Sequence, residues 1–547
     1  MSQAEHPWYR IYDELGCAPE PQVPSRTLYE ALREVGEIRP DAVALSYMGR
    51  KLSFERLLSE IGRCAGALAE RGVRAGDTVC ICLPNIPQCV IAFYACNLLG
   101  AVACMAHPLS TGSEVKRVLR ETGARCLLLS EVSYGALAEV LPEEAILCPV
   151  GEYLPPHLRC ALRLKGGKLP ELPRLGALMR GAEPLPPGRR IDPGDCAVLL
   201  YSGGTSSGEP KGIELSSDNL NALRVDLLSF VTEARPGDSM LTILPLFHGF
   251  GLGVCVHTVL SGGLSSILVP QFSGRSFVRA IKKYRPTFLA GVPTVYEALL
   301  ASDPKGKLRF PFLKGAFCGG DSVPYELKRR FAQFMAERER EIPLLEGYGL
   351  TETVTACTLS PPGPASPNAG VPFPNMELRI VAAGSCEPLP PGEDGEICVA
   401  GPQVMLGYHG DAEETARALR VHPDGRTFLH TGDLGHLTEK GELVFRQRLK
   451  RVIKVKSFPV YPSEVERVLL SHPGVRACAA LGLPDGRTGQ RVCAVLVGDA
   501  PERELRALCE RELNRWSRPS DYIYRESLPK TRVGKINITE LLKEITQ

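Results

Sequence analysis

The densest run of residues able to do chemistry is Tyr201-Ser-Gly-Gly-Thr-Ser-Ser-Gly-Glu-Pro-Lys-Gly212. Gly203, Gly204 and Gly208 permit positive φ, so successive backbone N–H groups can converge on an anion. Ser202, Thr205, Ser206 and Ser207 add hydroxyl donors, and Lys211 adds a point charge. Such a set suits a phosphate group. A P-loop requires Gly-Lys-Ser/Thr running into a helix. Gly203 and Gly208 have its spacing, but Glu209 and Pro210 stand where the lysine belongs, so that reading fails. A plain Gly/Ser hairpin explains the glycines and leaves the hydroxyls and the lysine without a reason.

The elements that must position this loop are legible around it. Cys196-Ala-Val-Leu-Leu-Tyr201 is continuously apolar, as a buried strand is, and Ile213-Glu-Leu-Ser216 alternates like a second strand. The segment is therefore expected to be a strand–loop–strand turn. Upstream, Phe54, Leu57, Leu58, Ile61, Ala65 and Leu68 fall at helical spacing, Asp77–Leu83 reads as a buried strand, and Ile91–Leu99 is helical again. The same alternation at Ala124–Leu129 and Ser239–Leu244 predicts an α/β sandwich of mostly parallel sheets.

A chain of 547 residues exceeds one hydrophobic core, so two or more domains are expected. The apolar fraction of 44% and charged fraction of 23% are those of a globular protein, and a net charge of +2 gives no reason to expect nucleic acid. Nineteen cysteines lie scattered without paired CxxC clusters, which argues against structural zinc. MSQAEHPWYR lacks the pattern of a secretory leader, and no stretch of about 18 apolar residues appears. A cytoplasmic protein is expected. Residues 154–190 carry eight Lys/Arg against two acids, which reads as a solvated excursion or as a peripheral contact with anionic lipid. From Arg451 to Gln547 the net charge is +5, whereas the preceding residues carry −3. A small basic unit beginning near Arg446–Arg451 would suit a lid over polyphosphate.

Further segments follow the loop in a fixed order: Pro245-Leu-Phe-His-Gly249, Tyr348-Gly-Leu-Thr-Glu352, Gly401-Pro-Gln-Val-Met-Leu-Gly-Tyr408, Thr431-Gly-Asp433, Arg448-Leu-Lys-Arg-Val-Ile-Lys454 and Pro529-Lys-Thr-Arg-Val-Gly-Lys535. With the loop they make seven, and together they resemble the adenylate-forming superfamily of acyl-CoA synthetases, firefly luciferase and peptide-synthetase adenylation domains. The resemblance implies a large N-terminal domain of αβ-sandwich subdomains plus a β-barrel-like subdomain (residues 1–447). A small, mobile α+β lid (448–547) would follow, hinged near Lys450. It implies ATP, Mg²⁺ and CoA, or the phosphopantetheine of an acyl carrier protein, as partners of a small carboxylic acid. Glu352 would hold Mg²⁺, a hard cation that prefers carboxylate oxygen. Thr351 would donate to an α-phosphate oxygen, and Tyr348, next to Gly349, would stack on adenine. Gly319, Gly320 and Asp321 would lie along the adenine, Asp433 would accept from both ribose hydroxyls, and Arg448 would assist there. Lys535 would reach the carboxylate and α-phosphate and stabilise the developing charge. Lys454 would serve the second half-reaction from the opposite conformer.

Three departures from the family pattern stand out: Ser206-Ser207 lengthens the loop by one residue, Gln447 replaces the usual Gly or Asp, and Ser457 stands where glycine usually approaches the pantetheine. Gly249, Gly251 and Gly253 each cost a helix about 0.5–1 kcal/mol relative to alanine, so space free of side chains is expected there. An acyl tunnel past His248, Phe250, Gly291, Thr294 and Gly319 is the reading; tight packing is its rival. No Asp stands at 247 or 248 to hold an ammonium, so a fatty acid is expected first and an aryl acid second. Only twelve residues follow Lys535, so the acceptor is expected to arrive separately. A fatty acyl-AMP ligase loading a carrier protein, a luciferase-like oxygenase and an inert nucleotide sensor are the alternatives.

Overall fold

The alternation of apolar strands with amphipathic helices gives, in the computed structural model, two seven-stranded sheets. The structure describes residues 6–165, 170–188, 190–201, 210–270, 273–303, 305–456, 458–530 and 536–546. One sheet runs in the order Leu344–Gly347, Gly315–Gly319, Phe288–Gly291, Ser239–Thr242, Ser265–Leu268, Val43–Tyr47 and Arg50–Ser53. It is parallel except for its last pair. The other runs Gly407–Tyr408, Gly212–Ser216, Cys196–Tyr201, Val102–Met105, Thr78–Cys82, Cys126–Leu129 and Glu144–Leu147. Gly212–Ser216 pairs antiparallel with both of its neighbours, as expected of the two strands that flank the loop, while the other pairs are parallel. Strands buried on both faces must be continuously apolar, which is why Cys-Leu-Leu-Leu at 126–129 is wholly buried.

Helix starts follow local capping chemistry. Thr27 and Glu30, Thr111 and Glu114, and Ser216 and Asn219 each form a reciprocal cap that satisfies orphan N–H groups. Asn219 does more than cap: its Nδ2 donates to the carbonyls of Pro402 (2.8 Å) and Val404 (2.9 Å). The helix Ser217–Phe230 is thereby tied to the segment 401–408.

A third, antiparallel sheet occupies the position expected for the barrel-like subdomain. It joins Glu377–Val381, Gly395–Ala400, Thr427–Leu437 and Leu419–Val421, with Leu443–Arg448 on the far side of Thr427–Leu437. The small C-terminal domain has its own sheet, Phe458–Val460, Ile453–Val455, Gly489–Gly498, Val475–Asp485 and Asp521–Tyr524, and its own apolar clusters. Helices Pro462–Leu470, Glu502–Glu512 and Ile538–Thr546 cover it, an α+β arrangement. No helix among the described residues is long and apolar enough to cross a membrane.

One element departs from expectation. Phe250–Thr258 is a π-helix of 9 residues, and its glycines are filled rather than open. A Cβ at Gly249 would lie 1.6 Å from the Val354 carbonyl oxygen, at Gly251 2.2 Å from that of Pro245, and at Gly253 2.9 Å from Val354 Cγ1. The space that the sequence reading expected at these glycines is filled, by backbone carbonyls at Gly249 and Gly251 and by the Val354 and Leu223 side chains at Gly253.

Candidate active site

Parallel α/β sheets gather ligand sites at the carboxyl ends of their strands. Here Gly315–Gly319 and Leu344–Gly347 are register neighbours, and they end together at Gly319↔Gly347. They deliver Gly320-Asp321 and Tyr348-Gly349 side by side. Gly320 has φ +77°, and a Cβ on Gly319 would sit 2.8 Å from the Gly347 carbonyl and 3.7 Å from Phe250 Cε1. Gly349 is required because a Cβ there would lie 2.3 Å from the Thr355 carbonyl. Asp321 is exposed and accepts from Ser322 N at 2.9 Å.

Tyr348 then meets the third sheet. Its hydroxyl donates to Asp433 Oδ2 at 2.9 Å, and its ring lies 5.6 Å from that of Phe445, tilted by 34°. Burial and the neighbouring Asp433 carboxylate push the Tyr348 hydroxyl well above its ordinary value, so it remains a donor. Thr431 builds the turn: its Oγ1 donates to the Ile397 carbonyl at 2.7 Å and accepts from Asp433 N at 3.1 Å. Gly432 takes φ +68°, the left-handed value a Thr-Gly-Asp turn needs. Asp433, 3% exposed, pairs in register with Arg448 across the sheet, and Arg448 Nε lies 3.3 Å from Asp433 Oδ1. The two residues that the sequence assigned to a ribose therefore do converge.

Thr351-Glu352-Thr353 forms a single 3₁₀ turn. Immediately after it, Val354 has φ +62° and ψ −54°, and Thr355 N donates to the Thr353 carbonyl at 2.6 Å. This is a γ-turn of positive φ, rare and strained for a β-branched residue. Close packing of the Val354 carbonyl against Gly249 holds it in place. Backbone strain of this sort, on the order of 1–3 kcal/mol, clusters where geometry matters more than stability. The Glu352 carboxylate accepts from Tyr408 Oη at 3.0 Å, and its carbonyl accepts from Met405 N at 2.8 Å. Among the described residues its second oxygen has no partner.

Lys211 does not stand alone. Its Nζ is 2.7 Å from Glu414 and 5.1 Å from the Tyr408 ring centroid, so Tyr408 lies between Lys211 and Glu352. Ser202, Gly203, Gly204, Thr205, Ser206, Ser207 and Gly208 lie outside the described residues, as do Ser457 and Lys535. Lys450 lies in the 3₁₀ turn Leu449–Arg451, directly after the strand that ends at Arg448; its side chain is outside the description. Gln447 is buried, and its Oε1 faces Ser463 N at 3.4 Å, at the start of the helix Pro462–Leu470. Lys454 is exposed on the strand Ile453–Val455.

The acyl-pocket candidates divide. Phe250 faces Gly319, and His248 Nδ1 accepts from Phe250 N at 3.1 Å. Thr294 is exposed, and Gly291 turns toward the core, where a Cβ would meet Val295 Cγ2 at 2.4 Å. Sequence reasoning missed Tyr408 as the partner of Glu352, the γ-turn at Val354, and a buried Lys328–Glu346 ion pair beneath Tyr348. It also missed His257, wholly buried in the π-helix. Asn221 Nδ2 donates to the Arg26 carbonyl (2.7 Å), so Asn221 Oδ1 must accept from His257 Nε2 (3.0 Å), and His257 Nδ1 accepts from Tyr94 (3.1 Å). Burial lowers the imidazole to about 3 and keeps it neutral. A histidine in an apolar stretch gives no signal of such a network.

Residues 32–409 match the AMP-binding enzyme family, and residues 464–535 match the AMP-binding enzyme C-terminal domain. The chain therefore belongs to the adenylate-forming AMP-binding enzymes and is an acid–thiol ligase by class, working with ATP, Mg²⁺ and CoA. It is 31% identical to a long-chain-fatty-acid–CoA ligase of Bacillus subtilis (strain 168), over 100% of this chain and 99% of the relative. It is 32% identical to a feruloyl-CoA synthase of Amycolatopsis sp., over 91% and 94%. ATP-bound MatB from Rhodopseudomonas palustris superposes with a TM-score of 0.82 at 25% identity, over 95% and 99% of the chains. The Bacillus subtilis O-succinylbenzoate–CoA synthetase in complex with ATP and magnesium gives 0.78 at 26%, over 95% and 100%. The residues present fit the metal. Glu352 offers a hard carboxylate oxygen with no partner among the described residues, in a turn fixed by backbone and by Tyr408.

Proposed function

We propose that the chain joins a fatty acid to AMP with release of pyrophosphate and then passes the acyl group to CoA. The observation that carries this is the joint placement of the Thr351–Glu352 turn and the Tyr348–Asp433–Arg448 cluster at the carboxyl edge of one parallel sheet. In this reading Asp433 and Arg448 hold the ribose. Gly319, Gly320, Asp321, Tyr348 and Gly349 flank the adenine, with Tyr348 acting through its hydroxyl on Asp433 as well as its ring. Ser202–Gly208 and Lys211 cradle phosphate, with Lys211 leaving or sharing Glu414 when polyphosphate arrives. Glu352 holds Mg²⁺, which supplies charge neutralisation on the triphosphate, and Thr351 donates to the α-phosphate. Lys535 stabilises charge at the reacting carboxylate, and Lys454 acts in thioester formation. The seam lies at 447/448, with Lys450 in the turn that rotates the small domain. His248 and Phe250 border the acyl group, whose uncharged tail suits the lack of an Asp at 247 or 248. Nineteen free thiols, sixteen of them buried, suit a cytoplasmic site of action.

Pyrophosphate release screened over short, medium, long and aromatic acids, with and without CoA, tests this reading. Long-chain acids are expected to give the highest rate, and AMP release should depend on CoA. Faster turnover of hydroxycinnamic acids would shift the reading to an aryl acid, as the feruloyl relative suggests. Transfer to a carrier protein but not to CoA would replace the acceptor.

A further inference from the structure

The antiparallel third sheet carries a second cluster of ligand-type side chains, centred on His430 in the strand that also holds Asp433. His422 follows the strand Leu419–Val421 and His430 lies on Thr427–Leu437, so the hairpin that connects them brings the two rings together, their centroids 5.3 Å apart and their planes tilted by 55°. Their Nε2 atoms are 3.1 Å apart. Cys386, in the connection between Glu377–Val381 and Gly395–Ala400, places its Sγ 4.0 Å from His430 Nε2, and the three ligand atoms all lie within 4.8 Å of one another. The histidines are 2% and 7% exposed, whereas Cys386 is half-buried and leaves a route in from solvent.

The surroundings orient these atoms as a metal centre would need. His430 Nδ1 lies 3.0 Å from Glu396 Oε2, and Glu396 Oε1 accepts from Gly432 N at 3.0 Å. An ionised carboxylate only accepts, so the proton sits on Nδ1 and the lone pair of His430 Nε2 points at Cys386 and His422. This is the carboxylate–histidine pairing that fixes the tautomer of metal-bound imidazoles. His422 is held by its ring stacked on Phe428 at 4.4 Å, and its Nδ1 is buried without a hydrogen-bond partner among the described residues. Its Nε2 is the ring nitrogen that faces His430. Two Zn–N bonds of about 2.05 Å at a tetrahedral angle separate the nitrogens by about 3.3 Å, close to the 3.1 Å found.

We propose that Cys386, His422 and His430 bind one Zn²⁺ ion, with Glu396 as the positioning residue behind His430. One thiolate and two imidazoles form a borderline-soft set that selects zinc over the magnesium used at Glu352. The ion clips the 382–388 connection to the strand that carries Asp433. It shares Glu396 with the turn at Gly432, so its loading stiffens the floor of the nucleotide site. Ordinary hydrogen bonding between the two imidazoles is the competing account.

The test uses the full chain, stripped of metal and kept in millimolar Mg²⁺ so that Glu352 does not report. Zn²⁺ titrated against a chromophoric chelator should bind at one equivalent per chain and raise Tm, and Co²⁺ in its place should give a thiolate-to-cobalt charge-transfer band. Cys386→Ser should abolish that band, and His422→Gln should weaken Zn²⁺ at least tenfold. Glu396→Gln should weaken it roughly 10–100-fold. Cys160→Ser, at the one exposed thiol, should change nothing. Far-UV circular dichroism of each metal-free variant reports that it is folded, independently of zinc and of the nucleotide site. Absence of a stoichiometric site, or a charge-transfer band that survives Cys386→Ser, overturns the proposal in favour of the imidazole–imidazole bond.

Discussion

Asp433 and Lys454 both belong to motifs of one reaction, yet they are held in opposite ways. Asp433 is 3% exposed, receives the Tyr348 hydroxyl and faces Arg448 in register. Lys454 projects from a three-residue strand of the small domain, exposed, its ammonium without a partner among the described residues. The proposed nucleotide floor is built in advance, with buried dipoles already aimed, which is where electrostatic preorganisation is most effective. Lys454, in the proposed reading, is a long, solvated charge that a rotating domain brings up when needed. A group that must leave between two half-reactions cannot be buried in either.

The sharpest way to break this contrast is to remove one lysine at a time. Lys535→Ala should cost acid-dependent pyrophosphate release roughly 10²–10³-fold while sparing thioester formation from supplied acyl-AMP. Lys454→Ala should do the reverse. A parallel fall of both half-reactions in either variant would mean that one conformer does all the chemistry. On the floor, Asp433→Asn removes a charged acceptor, a loss of about 1.5–3 kcal/mol. It should raise the KM for ATP by about 10–100-fold with little change in Tm, as read by steady-state kinetics and differential scanning calorimetry.

Asp226 sharpens the comparison from the stability side. It is buried between Gln403 Nε2 (2.7 Å) and Asn375 Nδ2 (2.8 Å), beneath the segment 401–408, and burial raises its carboxyl from 3.8 to about 7. A folded-state value raised above the unfolded one gives stability that is complete below pH 4 and is lost as pH rises toward 7. Chemical denaturation from pH 5 to 7 should show a decline of about 1 kcal/mol per pH unit that Asp226→Asn removes. Gln403 Oε1 has no partner among the described residues, so its amide can turn to meet the new side-chain NH₂. The smallest effect concerns residues 154–190. Leu175 and Met179 are buried there, so charge reversal at Arg159, Arg174 and Arg180 is the cleaner probe than deletion. It should lower co-sedimentation with anionic liposomes about two- to fivefold; equal sedimentation would make the stretch a solvated excursion only.

Much of the fold was legible because both seven-stranded sheets announce themselves through apolar runs of fixed length, and the order of seven motifs placed the family. Asp433, Arg448, Tyr348 and Glu352 were legible for the same reason. The rest depended on contacts between distant segments. Val354 carries no mark of its positive φ, which comes from the carbonyl pressed on Gly249. Tyr408 stands inside a named motif, but its bond to Glu352 spans 56 residues. The glycines of the π-helix were read as space when they are contact, because a missing side chain looks the same in sequence whether a ligand or a carbonyl fills the gap.

Sixteen of the nineteen cysteines are buried, among them Cys82, Cys126 and Cys357, whose thiols burial holds up to about 12. While the chain is folded these sulfurs are inert. Once it opens, they return to an ordinary acidity near 8.5 and become nucleophiles all at once. Heat in an oxidising medium should therefore inactivate this enzyme in one direction only, through scrambled intermolecular cross-links, and its lifetime outside a reducing compartment is a rate of opening rather than an equilibrium.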